Sequence, residues 1–118
     1  LNLPPKEKCE LKDATLKDVL SVCEELPDDE IEQIVALNGS FDPQQFAMSV
    51  TSNATVMWCY KADRPLVVAG FMRTTPVIWK CFFLATEYAW ERYGKEVTKE
   101  TIRMMKKVMD SQERIRIE

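Results

Sequence analysis

The stretch from Thr55 to Ile117 limits most tightly what this chain can fold into. It holds three apolar strand-like runs, then one amphipathic helical segment, then a last short run that alternates charge and isoleucine. Thr55–Lys61 alternates, and Leu66–Met72 and Val77–Ala85 are apolar at nearly every position, as strands covered on both faces are. Asp63-Arg64-Pro65 and Thr74-Thr75-Pro76 supply turn chemistry between them, so the three runs are expected as an antiparallel meander. A helix is expected from about Thr86, bent at Gly94, with Val97, Thr101, Ile102, Met104, Met105, Val108 and Met109 on one arc. Arg114–Ile117 then reads as a strand that joins the sheet beside the third run through a crossover. In a sheet with such a crossover, the step Leu84-Ala85-Thr86 from strand into helix is where a ligand binds.

Upstream, residues 1–8, with Pro4-Pro5, read as an extended arm, and Cys9 to Lys12 as a short first strand. From Thr15 the pattern is helical: Leu16, Val19, Leu20, Cys23 and Leu26 share one face and Lys17, Asp18, Ser21, Glu24 and Glu25 the other. Asp13 or Thr15 is the expected cap, and Pro27 ends the helix. A second helix runs from Asp28 with Ile31, Ile34, Val35 and Leu37 inward and Gly39 as its stop. A third follows Asp42-Pro43, packs Phe46, Ala47 and Val50, and leaves at Asn53.

At 118 residues the chain is expected to be one domain, 1–118, with a core that needs no staple. Cys9, Cys23, Cys59 and Cys81 lie far apart with no C-x-x-C pair, so buried free thiols are expected and no zinc set; a disulfide stays open. The absence of histidine removes His-based triads and His general bases. Any catalysis falls to carboxylates, Tyr, Lys, Cys or backbone groups. The net charge of −3 is unevenly spread: residues 1–42 carry four basic and eleven acidic side chains, residues 87–118 eight and seven. Nucleic acid is not an expected partner, and no apolar run approaches the roughly 20 residues that span a bilayer. The chain opens at Leu1, which suggests a processed or partial sequence.

Ala14-Thr15-Leu16-Lys17-Asp18-Val19 and Asp28-Asp29-Glu30-Ile31 open the first two helices, Pro65 to Phe71 makes the middle strand, and Ile78-Trp79 with Phe83-Leu84-Ala85-Thr86 the next. On these residues the chain, over about 9–118, resembles the GNAT (Gcn5-related N-acetyltransferase) superfamily, and within it phage-encoded GNAT-like proteins such as the internal virion protein A group of short-tailed bacteriophages. The resemblance implies an α+β fold: a short first strand, two to three helices, a three-stranded antiparallel meander, a crossover helix and a final strand in a mixed sheet. It also implies that a further helix and one or two strands would follow, so that the sequence is a fragment or a shortened relative; the missing part would carry the tyrosine that often serves as general acid.

In active members of the superfamily the strand-to-helix loop carries a glycine-rich R/Q-x-x-G-x-G/A signature whose N–H groups hold the coenzyme A pyrophosphate. This chain has Thr86 to Lys95 there, with Gly94 as the one glycine. Thr86, Arg92, Gly94 and Lys95 are the candidate cofactor-binding residues, and Glu87 the candidate base for an acceptor amine. Against each stands an ordinary role: a solvated cation, a helix bend, or a carboxylate on a positive helix end. Trp58, Trp79, Trp90, Phe82, Phe83, Tyr88 and Tyr93 are expected mainly as core. The row Lys99, Arg103, Lys106 and Lys107 is interleaved with Glu96, Glu100 and Asp110 and reads as a solvated face.

Two functions are therefore expected. The first is a phage virion or assembly protein without a cofactor, in the virion or the cytoplasm of the infected bacterial cell, that binds capsid, portal or tail proteins or a second copy. The alternative is an acetyl-CoA-dependent N-acyltransferase that uses Thr86–Lys95.

Overall fold

Side-chain alternation along the strands sorts the core into two layers, one on each face of the sheet. The computed structural model describes residues 9–111 and 116–117. Its elements are β1 (Glu10–Asp13), α1 (Leu16–Cys23), α2 (Asp28–Asn38), α3 (Pro43–Asn53), β2 (Val56–Lys61), β3 (Pro65–Arg73), β4 (Ile78–Ala85), α4 (Glu87–Ser111) and β5 (Arg116–Ile117). The arm expected over residues 1–8 and the start of the expected last strand lie outside the described residues. The strands form one sheet in the order β1-β2-β3-β4-β5, antiparallel through β4, with β5 parallel to β4. β5 meets β4 through Ile78↔Arg116 and Trp79↔Ile117, at the start of β4 only.

Val67, Ala69 and Phe71 of β3 point to α4, where they join Trp58, Trp79, Ala85, Ala89, Tyr93 and Val97. Val68, from the opposite pleat, joins Cys59 and Leu84 under Val19, Val22, Cys23 and Leu26 of the α1 segment and Ala47 and Val50 of α3. Gly70 sits where a Cβ would come within 2.2 Å of the Val56 carbonyl oxygen and 2.9 Å of the Phe82 ring, so only glycine lets β2, β3 and β4 close here. The helix ends follow the sequence signals. Thr15 and Asp18 form a reciprocal capping box on α1. Gly39 closes α2 at φ 84°. Asp42 accepts the Gln44 N–H at 3.2 Å ahead of Pro43.

All four cysteines are free thiols, Cys23 and Cys59 buried and Cys9 and Cys81 half-buried. Burial pushes the Cys23 and Cys59 thiols up to about 12, which keeps both protonated and inert.

Five residues depart from their expected orientation. Asp18, placed on the solvent face by periodicity, is 4% exposed. It shares the inner face of α1 with Val22, one turn on, and its charge is met by the Thr15 N–H at 3.0 Å, the Thr15 hydroxyl at 3.1 Å and Lys12 Nζ at 3.2 Å. Leu16, expected inward, is exposed at the first position of α1. Val35 and Leu37 of α2 are exposed, Leu37 by 85%, because α2 buries none of its residues fully and only Ile31 and Ile34 lean on the core. Ile102, assigned to the inner arc of α4, is 51% exposed, since Val97, Met104 and Met105 hold the sheet side.

Candidate functional site

β4 turns into α4 through a single residue, Thr86, which is 1% exposed. Its N–H donates to the Leu66 carbonyl at 3.0 Å, its carbonyl accepts the Trp90 N–H at 3.3 Å, and its hydroxyl accepts the Ala89 N–H at 3.0 Å. Thr86 is thus the N-cap of α4, with its side chain turned into the protein. The next amide, Glu87 N–H, donates to the Glu25 carbonyl at 3.2 Å, which ties the α1–α2 link across the head of α4. Two of the N–H groups that a helix N-terminus offers to an anion are therefore already used.

An open recess of about 430 Å³ lies at this head, lined by Glu25, Leu26, Glu87, Tyr88 and Glu91. Glu87 and Glu91, one helical turn apart, share a face of α4, and Glu25 reaches them from the α1 side. Arg64, from the β2–β3 turn, sits with its guanidinium carbon 3.8 Å above the Tyr88 ring and Nη1 3.3 Å from Glu25 Oε1. The recess is a cation-attracting surface with an aromatic wall. Among the described residues no group of three or more His, Cys, Asp and Glu is placed to hold a metal ion.

α4 is broken at Tyr93, whose φ of −126° and ψ of 20° are not helical. Arg92 is half-buried just before the break. Beyond it Gly94 and Lys95 line a separate, shallow depression with Trp90, Thr98, Lys99 and Ile102. The residues expected to form one loop site thus divide: Glu87 joins Glu25 and Glu91, while Gly94 and Lys95 join Lys99. Glu91 was within reach of sequence reasoning, four residues from Glu87. Glu25 and Arg64 were not, because only the fold brings them there.

The sequence interleaves acids and bases after the break, and the structure separates the two glutamates from the lysines: Glu96 and Glu100 are half-buried, while Asp110 stays exposed one turn beyond Lys106. Glu100 lines a small gap with Leu11, Trp58 and Tyr60 on the sheet side of α4 and pairs with Arg103 at 2.8 Å. Burial, then the hydrogen bond to Cys9 and the charges of Glu100 and Glu96, push the Tyr60 hydroxyl up. Lys95, Lys99 and Lys106 are exposed on the other side with Thr98 and Ile102.

Three solved structures resemble this fold over most of its length. They are a possible acetyltransferase from Clostridium difficile 630 (TM-score 0.61, 11% identity, 92% of this chain and 76% of that one), a GNAT-family acetyltransferase from Bacillus anthracis (0.57, 13%, 90% and 67%), and a Staphylococcus aureus protein of unknown function described as a probable acetyltransferase (0.55, 12%, 93% and 77%). The chain has the GNAT fold. No protein-family model matches the sequence, and no curated protein does.

Proposed function

We propose that the protein is an N-acyltransferase of the GNAT type whose recess at the head of α4 takes the acceptor amine. The observation that carries this reading is the wall of Glu25, Glu87 and Glu91 beside Tyr88, at the carboxyl end of β4 on a GNAT scaffold. An aliphatic amine is an ammonium at neutral pH, and a carboxylate-lined, partly enclosed surface concentrates it. Arg64 already illustrates the preference, with one cationic group resting on Tyr88 and Glu25. An ammonium must lose a proton before its nitrogen can attack an acyl carbon, and Glu87 is exposed on the recess wall to receive it.

The acyl donor implied by the fold is acetyl-CoA, and its pyrophosphate does not fit the head of α4. The Glu87 and Ala89 N–H groups are bonded within the protein, the link is one residue long without glycine, and three carboxylates face the place a phosphate would occupy. This misfit favours a second reading on the same scaffold, a protein that acts by binding; its setting in a phage particle or its assembly rests on the sequence resemblance alone. The test separates them. On the enzyme reading the donor is held away from the head of α4, and calorimetry with acetyl-CoA, followed by thiol release in the presence of spermidine or a lysine peptide, gives saturable heat and turnover that falls at least tenfold in Glu87→Gln. No heat at high micromolar acetyl-CoA rejects the enzyme reading. Fixed stoichiometry in purified phage particles would then support the second.

A further inference from the structure

The exposed face of α4 beyond Tyr93 and the exposed face of α2 are complementary in both charge and apolar content. On α4, Lys95, Lys99 and Lys106 surround Ile102, with Trp90, 47% exposed, at the near end. Glu96 and Glu100 are half-buried, and Glu100 pairs with Arg103 at 2.8 Å; the exposed acid near this strip is Asp110, one turn beyond Lys106 at its far end. On α2, Asp28, Asp29 and Glu32 are exposed on one side of the helix with Val35 and Ala36, and α2 carries no basic residue.

We propose that a second copy of this chain docks here, the α2 face of one molecule on the basic α4 face of the next. Two copies that exchange both contacts about a two-fold axis close as a dimer; where only one contact forms per pair, each molecule keeps one free face of each kind and association continues into chains or a ring. Both patches are small, which places the contact in the weak class and makes it depend on charge. This proposal is independent of the acceptor site, since Glu25, Glu87 and Glu91 are in neither patch.

Sedimentation velocity across a concentration series tests it at about 0.01 M and about 1 M salt, where the Debye length is about 30 and about 3 Å. Dimers or larger species are expected at low salt and high concentration, and their loss at high salt. The double variants Lys95→Glu/Lys99→Glu and Asp29→Lys/Glu32→Lys should each be monomeric, because each sets like charges against like. An equimolar mixture of the two should associate again, since each now carries the complement of the other. Circular dichroism checks that both variants are folded, and with all these substitutions on exposed positions unfolding is not expected. A monomer under every condition overturns the proposal. So does association that survives the single-face swaps, or swaps not rescued by mixing. Binding of the basic face to vesicles rich in phosphatidylserine, without self-association, also overturns it and assigns the face to an anionic membrane.

Discussion

The two layers that sandwich the sheet treat their polar groups differently. On the α1–α3 side Asp18 is buried with two hydrogen bonds from Thr15 and an ion pair to Lys12, and the neighbouring core is aliphatic with two inert thiols. On the α4 side an aromatic run of Trp58, Phe71 and Trp79 fills the core, with centroids 5.8 and 6.1 Å apart, and the buried Trp79 indole N–H finds no partner among the described residues. The α1–α3 layer is closed. The α4 layer carries the break at Tyr93, the acidic recess at one end and the basic strip at the other. The difference teaches that one layer serves as scaffold and that the candidate chemistry sits on the rim of the other.

The largest effect that would break this comparison is in the cores themselves. Phe71→Ala removes the ring that joins Trp58 to Trp79 and should cost about 3–5 kcal/mol in urea unfolding, against about 2 kcal/mol for Val22→Ala on the other side. Equal losses would mean that the aromatic run is no more than a set of separate contacts.

Next comes the charge inside the closed layer. Burial opposes the Asp18 carboxylate, but the Thr15 hydrogen bonds and Lys12 outweigh it and hold the group below its ordinary value of 3.8. A depressed carboxyl contributes stability above its unfolded pKa and loses it as pH falls through the folded one. Asp18→Asn should therefore cost about 1–2 kcal/mol at pH 7. As pH falls below 3.8 and through the lower folded value, the difference between the two proteins should shrink toward the hydrogen-bond contribution alone. A pH-independent difference would show that Asp18 acts through shape and not through charge.

These side chains also mark how far the sequence could be followed. Strand alternation, Thr15, Gly39, Asp42-Pro43 and the turn residues place the elements within about two residues, because each acts locally; the exception is the end of α1, which stops at Cys23 and not at Pro27. Asp18, Leu37 and Ile102 were misplaced because a helical arc says which residues share a face, not how wide the buried part of it is. The candidate site was half legible. Glu87 stood at the end of β4 as its position demanded, yet Glu25 and Arg64 arrive from other elements, and the sorting of lysines from glutamates after the break depends on the rotation of α4 against Tyr60.

The smallest effect probes whether the break in α4 belongs to Gly94 or to the packing around it. Gly94 has no positive φ, and a Cβ added there meets nothing within 4 Å, so neither backbone nor space requires glycine. The non-helical residue is Tyr93, which is buried and packs edge-on against Tyr88 at 6.0 Å. If tertiary packing of Tyr93 imposes the break, Gly94→Ala leaves it in place and gains the better helix former, raising stability by about 0.5–1 kcal/mol. The acidic head and the basic strip then remain separate surfaces on a rigid helix. A loss of more than about 1 kcal/mol would instead make glycine the origin of the break. The division of α4 into two surfaces would then rest on one flexible residue, and the contrast with the closed α1–α3 layer would be one of backbone freedom as much as of polar partners.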